Sequence, residues 1–175
     1  MSLALRLDCV KPCGMVMRSL DSALRCSDSR CATLLALDAE VCDECGSTDL
    51  VPATNGAGVL LGLAGERPVA FGVDDRVPTI IGRGSGSDVP DVDLSRFPTL
   101  TSGSVHRRHA RIEQVDGRWR ISHLGRNPLV IQRDSETLVV EPGGAAALRP
   151  GDWLQVGRVR LRFVAPPIGS IDVQG

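Results

Sequence analysis

All six cysteines of this 175-residue chain lie within its first 45 residues. No other feature constrains the fold as strongly. A segment of that size cannot bury a core of its own, and modules of this kind are held by metal or disulfide staples. Two arms, Cys26-x4-Cys31 and Cys42-x2-Cys45-Gly46, offer four thiols at a spacing that suits tetrahedral zinc. Gly46 lets the backbone turn tightly after the last thiol and aim its amides at sulfur. Residues 1–10 hold Arg6 and Asp8 inside any apolar segment, so no secretory signal is expected. A cysteine cluster in a cytoplasmic chain reads as metal binding before it reads as disulfides. Cys26, Cys31, Cys42 and Cys45 are the expected ligands of a structural zinc ion. Cys9-x3-Cys13-Gly14 admits three readings: half of a second knuckle, an alternative partner for Cys42 and Cys45, or free thiols.

Composition excludes several classes. The chain is 42% hydrophobic and 23% charged, which is globular and not disordered. No apolar run approaches the roughly 18 residues of a membrane span, so no membrane insertion and a cytoplasmic location are expected. The net charge of −1 divides unevenly. Residues 1–50 carry five Lys+Arg against eight Asp+Glu, and the rest carry fifteen against thirteen. Around the cysteines, Arg25 and Arg30 face Asp28, Asp38, Glu40, Asp43 and Glu44. That acidity argues against nucleic acid as a partner.

Residues 51–58 (V-P-A-T-N-G-A-G) read as a linker. Beyond Val59 short apolar or alternating runs recur between turn signals, at 69–73, 79–81, 109–114, 119–123, 129–132, 137–141, 145–148, 153–156 and 159–164. Asp116-Gly117, Pro142-Gly143-Gly144 and Pro150-Gly151-Asp152 punctuate them. This spacing predicts an all-β sandwich or barrel. Arg158, Arg160 and Arg162 alternate with Val159, Leu161 and Phe163, as in a strand with one wet face. Trp119 and Ile121 share one side of a strand, which makes Trp119 a core anchor. The expected organisation is a cysteine-rich module at 1–50, a linker at 51–58, a β-sandwich at 59–165 and a loose tail at 166–175.

The chemistry concentrates in three turns. Thr79-Ile80-Ile81-Gly82-Arg83-Gly84-Ser85-Gly86-Ser87-Asp88 presents one Arg inside a Gly-rich loop. A dinucleotide fingerprint needs a following helix, which Pro90 blocks, and a P-loop needs Lys-Ser/Thr, which is absent. The second turn is Val105-His106-Arg107-Arg108-His109-Ala110, and the third is Leu124-Gly125-Arg126-Asn127. Six arginines fall between Arg107 and Arg126, opposed only by Glu113 and Asp116.

From about Val59 to Ala165 the chain resembles a forkhead-associated (FHA) domain. That family shows a strand ending in Gly-Arg, a Ser-x-x-His-Ala turn, a Leu-Gly-Ser-x-Asn turn and a Gly-Asp before the penultimate strand. Here these correspond to Gly82-Arg83, the segment through His109-Ala110, Leu124 to Asn127, and Gly151-Asp152. The segment 91–104 resembles the longer loop of bacterial members, and Arg25 to Gly46 resembles zinc ribbons joined to bacterial signalling proteins. The resemblance implies an FHA-like β-sandwich preceded by a zinc ribbon, and recognition of phosphothreonine peptides by loops at one end. It implies that Arg83 and Arg107 contact phosphate, that Asn127 clasps the peptide backbone and that His109 is structural. There are two departures. His106 stands where the family has a phosphate-binding Ser, and Arg126 occupies a turn one residue short. His106 and Arg126 join the candidate phosphopeptide-binding set, because both can offer donors to phosphate. Equally, a bulky His106 closes the pocket.

A histidine triad for metal (His106, His109, His123) lacks acidic or cysteine ligands at matching spacing. No Gly-x-Ser-x-Gly elbow or acid/base pair indicates an enzyme. The expectation is a non-catalytic adaptor binding a protein partner through a segment phosphorylated on Thr by a Ser/Thr kinase. The alternative is an assembly subunit whose altered FHA domain binds a partner without phosphate.

Overall fold

The computed structural model describes residues 20–98 and 103–165. Every element among them is a strand. Three short strands come first: β1 (Ala23–Cys26), β2 (Leu34–Ala36) and β3 (Leu50–Pro52). They form an antiparallel sheet ordered β2-β1-β3. Then follow β4 (Gly58–Ala64), β5 (Arg67–Val73), β6 (Thr79–Gly82), β7 (Val92–Asp93), β8 (Ala110–Val115), β9 (Arg118–His123), β10 (Leu129–Arg133), β11 (Glu136–Val139), β12 (Ala145–Ala147), β13 (Trp153–Val156) and β14 (Val159–Val164). They make two sheets, β11-β10-β13-β14-β4-β5 and β12-β9-β8-β6-β7. All pairings are antiparallel except β6 with β7. This is an all-β, FHA-type sandwich with a small cysteine-bearing sheet at its N-terminal side.

Turn chemistry sets the hairpin registers. Asp116 and Gly117 both have positive φ, +52° and +71°, which matches the right-handed twist of β8 and β9. Between the sheets lie Leu60, Phe71, Ile81, Ile112, Ile121, Leu129, Ile131, Leu154, Leu161 and Phe163, all buried. Trp119 from one sheet meets Phe163 from the other edge to face at 5.3 Å, a preferred aromatic geometry. On β14 the expected alternation holds through Phe163, but Val164 is buried as well.

The reason lies outside the sandwich. Leu60 on β4 faces the inter-sheet core, so Val59 and Leu61 face away from it, yet both are only 2% exposed. They pack with Ala70 and Val164 against Leu20, Ala23, Ala53 and Leu34 of the cysteine module. A strand covered on both faces reads as a continuous apolar run, and β4 does.

Residues 51–58 are therefore not the expected linker. Val51 and Pro52 belong to β3, and the fully buried Ala53 donates its N–H to the Ala23 carbonyl at 2.9 Å. The Ala57 N–H reaches the Val73 carbonyl at 3.0 Å. Small side chains here serve close packing, which their composition alone does not distinguish from flexibility. Within the 91–104 insertion, Val92 and Asp93 pair beside β6, and Leu94 and Phe97 enter the core. Cys9, Cys13 and the tail at 166–175 lie outside the described residues.

Candidate functional site

Three loops meet at one end of the sandwich: 83–88 after β6, 103–109 before β8 and 124–128 after β9. Between the first two lies an open cleft of about 590 Å³, lined by Arg83, Asp88, Gly103, Val105, His106, Arg107 and Arg108. Backbone contacts bring these residues together. The Arg83 N–H donates to the His106 carbonyl at 3.0 Å, and the His109 N–H to the Ile81 carbonyl at 2.8 Å. A Cβ on Gly82 would collide with the Arg107 carbonyl oxygen, so only glycine permits this approach. The Leu94 N–H closes the far side on the Gly82 carbonyl at 2.9 Å.

The Gly-rich loop is clamped from below. Asp93, 2% exposed, accepts the N–H groups of Gly84 and Ser95 on Oδ1, each at 2.9 Å. Within the loop, Ser85 and Asp88 exchange backbone bonds of 2.9 and 3.1 Å. Arg83 stands on the cleft wall with its Nε buried and without a hydrogen-bond partner.

His109 is completely buried. Its Nδ1 accepts the His106 N–H at 3.2 Å, and its carbonyl accepts the N–H groups of Leu124 and Gly125. It thus ties the second loop to the third. Burial, with the neighbouring His123 ring 5.3 Å away, pushes its pKa down from 6.5 to about 4. The His106 ring meets His109 edge-on at 5.8 Å and lies over Gly125, where an added Cβ would stand 3.1 Å from it.

Arg83, His106 and Arg107 thus share the cleft. Asn127 stands at its rim, where its side-chain amide donates to the carbonyl of the cleft residue Gly103. Arg126 is exposed and is not among the cleft-lining residues. The sequence reading missed Asp88 and Arg108 as lining residues and Asp93 as the clamp. Arg108 was visible in the basic turn, whereas nothing local distinguishes Asp88 or Asp93 from solvated carboxylates.

At the other end of the small sheet, the Sγ atoms of Cys26, Cys31, Cys42 and Cys45 all lie within 4.8 Å of one another. Cys26 to Cys45 and Cys31 to Cys42 are each 3.6 Å apart. A disulfide needs about 2.05 Å, whereas Zn–S bonds of about 2.3 Å in a tetrahedron put sulfurs about 3.8 Å apart. The four thiols therefore fit a tetrahedral metal. Burial pushes the Cys26 thiol up to about 12. For Cys31 burial acts in the same direction, but hydrogen bonds from Thr33 and from Cys45 and Cys42 bring it to about 7. A divalent cation would draw all four to thiolate. The three histidines form no comparable convergence among the described residues. No helix among those residues is long and apolar enough to cross a membrane.

The FHA-domain pattern matches residues 79–157. Over 121 residues the chain is 31% identical to the oxoglutarate dehydrogenase inhibitor of Corynebacterium diphtheriae, spanning 69% of this chain and 73% of that protein. Among solved structures, the FHA domain of the CT664 protein from Chlamydia trachomatis is 25% identical, with a TM-score of 0.46 over 62% of this chain and 97% of that one. The FHA domain of human APLF, in complex with an XRCC1 bisphospho peptide, is 28% identical, with a TM-score of 0.45 over 63% of this chain and all of that one. With the Gly82-Arg83 strand end, the His109-Ala110 turn and the Asn127 rim around one cleft, the chain belongs to the FHA-domain family.

Proposed function

We propose that the protein is a non-catalytic adaptor whose cleft captures a phosphothreonine-containing segment of a protein partner. The observation that carries this reading is the convergence of three arginines, Arg83, Arg107 and Arg108, on one open cleft. A phosphate brings about −1.5 to −2 charges and three acceptor oxygens, matched to forked guanidinium groups. His106 lines the same cleft, with its ring packed against Gly125 and His109. The C. diphtheriae relative is named as an inhibitor of an enzyme, which fits a partner that is held and regulated.

The four cysteines would hold zinc, which supplies a structural staple and no chemistry at the cleft. One zinc per chain by metal analysis, under reducing conditions, is the expected result. Well under one would remove this part of the reading.

Asp88 favours a second reading, since it places a carboxylate on the same cleft. On that reading the domain binds a basic partner segment without phosphate. Calorimetric titration of a phosphothreonine peptide library against the protein and Arg83→Ala separates the two. Dissociation constants near 1 μM, about −8 kcal/mol, are expected with phosphopeptides and not with their unphosphorylated forms or with the variant. Equal binding of both peptide forms would overturn the phosphate reading.

A further inference from the structure

Arg30 sits between two of the clustered cysteines, yet its side chain ends at the Gly-rich loop that carries Arg83. Its backbone N–H donates to Asp28 Oδ1 at 2.8 Å, while the Asp28 carbonyl accepts the N–H groups of Cys31 and Ala32 at 2.9 and 2.8 Å. The knuckle therefore holds the Arg30 backbone in one place. From there Nη2 donates to the Gly86 carbonyl at 2.6 Å, and Nε lies 4.0 Å from Asp93 Oδ2. Gly86 is in the loop that carries Arg83, and Asp93 is the carboxylate that clamps Gly84. Among the described residues, Arg30 is the one ion-pair partner of Asp93.

The knuckle is also fixed to the sandwich. Arg67 on β5 donates to the Cys31 carbonyl at 2.9 Å and to the Thr33 hydroxyl, and its Nε lies 4.0 Å from Glu44. A metal-held turn, a guanidinium and a glycine carbonyl thus form one continuous chain of contacts, from the cysteine cluster to the rim of the cleft.

We infer that Arg30 is a positioning residue for the Gly84–Asp88 rim, so that the metal-bound cysteine module braces the ligand loop and the two sites are energetically coupled. This rests on the phosphopeptide reading for the identity of the ligand and on the zinc reading for the metal. Coupling between sites is reciprocal, so metal binding should tighten the peptide and the peptide should tighten the metal by the same factor.

The test uses the zinc-loaded full chain with Arg30→Ala and Arg30→Lys. Arg30 is 43% exposed in its side chain, so neither variant should fail to fold. In Arg30→Ala the Gly84 and Asp88 amides, bonded to Asp93 and to the Ser85 carbonyl, should exchange with solvent several-fold faster. The phosphothreonine peptide should bind on the order of tenfold more weakly, with zinc still at one per chain. Arg30→Lys keeps a donor for the Gly86 carbonyl and should recover most of both effects. In competition with a chromophoric chelator, the peptide should raise zinc affinity in the parent chain and not in Arg30→Ala. Unchanged loop exchange in Arg30→Ala, or unchanged peptide affinity where the parent binds, would overturn the brace. If the parent binds no phosphopeptide, faster loop exchange in Arg30→Ala upholds the brace and sinks only the ligand assignment.

Discussion

The backbone N–H of His106 donates to Nδ1 of His109 at 3.2 Å. That bond requires a neutral imidazole with Nδ1 free of its proton, and the depressed pKa of about 4 keeps it so. In the unfolded chain the ring titrates near 6.5. As pH falls from 6.5 towards 4, the unfolded state takes up a proton that the folded state refuses. The stability His109 contributes is thus complete above about 6.5 and is lost as pH drops through that window. The total is roughly 3 kcal/mol. Urea unfolding between pH 7.5 and 4.5 should show this loss, and the His109 ring resonances should not titrate above about pH 5. Titration of that ring near 6.5 would refute the assignment.

Gly82 is the tightest crossing in the site. Gly82→Ala drives a methyl group into the Arg107 carbonyl, and the backbone has no flexible end to yield. Stability should fall by roughly 2–4 kcal/mol. Gly117→Ala is the contrast, since a Cβ there meets no atom within 4 Å and only the φ of +71° opposes it. It should cost about 1 kcal/mol. Denaturant midpoints of the two variants compare directly.

Asp152 is 1% exposed and accepts from Arg133 Nε and Nη2 at 2.8 and 2.7 Å and from the Arg149 N–H at 2.8 Å. The carboxylate in turn holds Arg133 above its ordinary pKa. Asp152→Ala strands a partly buried guanidinium and should cost roughly 3–5 kcal/mol. Asp152→Asn retains an acceptor and should cost less, roughly 1–2 kcal/mol. Equal midpoints for the two would show that the charge is immaterial.

Metal removal should reach beyond the cysteine module. Leu20, Ala23 and Ala53 share one apolar cluster with Val59, Leu61, Ala70 and Val164 of the sandwich. Chelation, or Cys42→Ser, should therefore lower a single unfolding transition of the whole chain, by several kcal/mol. Calorimetry showing two transitions, with the upper one unmoved, would mean that the module and the sandwich fold independently.

Most strands of the sandwich were legible because they alternate or end at a turn with its own chemistry, whereas β4, buried on both faces, was not among the expected runs. Trp119 and Ile121 share a buried face as their spacing implied, and β13 and β14 begin and end where their apolar runs do. The cysteine cluster was legible because thiol spacing encodes a metal geometry. Other features were not. β7 is two residues long and owes its pairing to β6, which no local pattern records. Residues 51–58 carry Pro, Gly and Ala, residues as suited to close packing as to a flexible linker. Arg30 looked like one charge on an acidic module, and its partners Gly86 and Asp93 are more than fifty residues away.

Beyond its bearing on the cleft, the contact of the knuckle with β5 changes what that strand presents to other molecules. β5 ends the six-stranded sheet, and its open side would offer unpaired groups beside Val69, Ala70 and Phe71. Instead the Ala70 N–H is taken by the Ala32 carbonyl at 2.9 Å, and Thr33 pairs with Val69. An exposed apolar edge of this kind is a template for strand addition by a second chain, and for cross-β aggregation. The cysteine module thus covers the edge at which a second chain could add a strand.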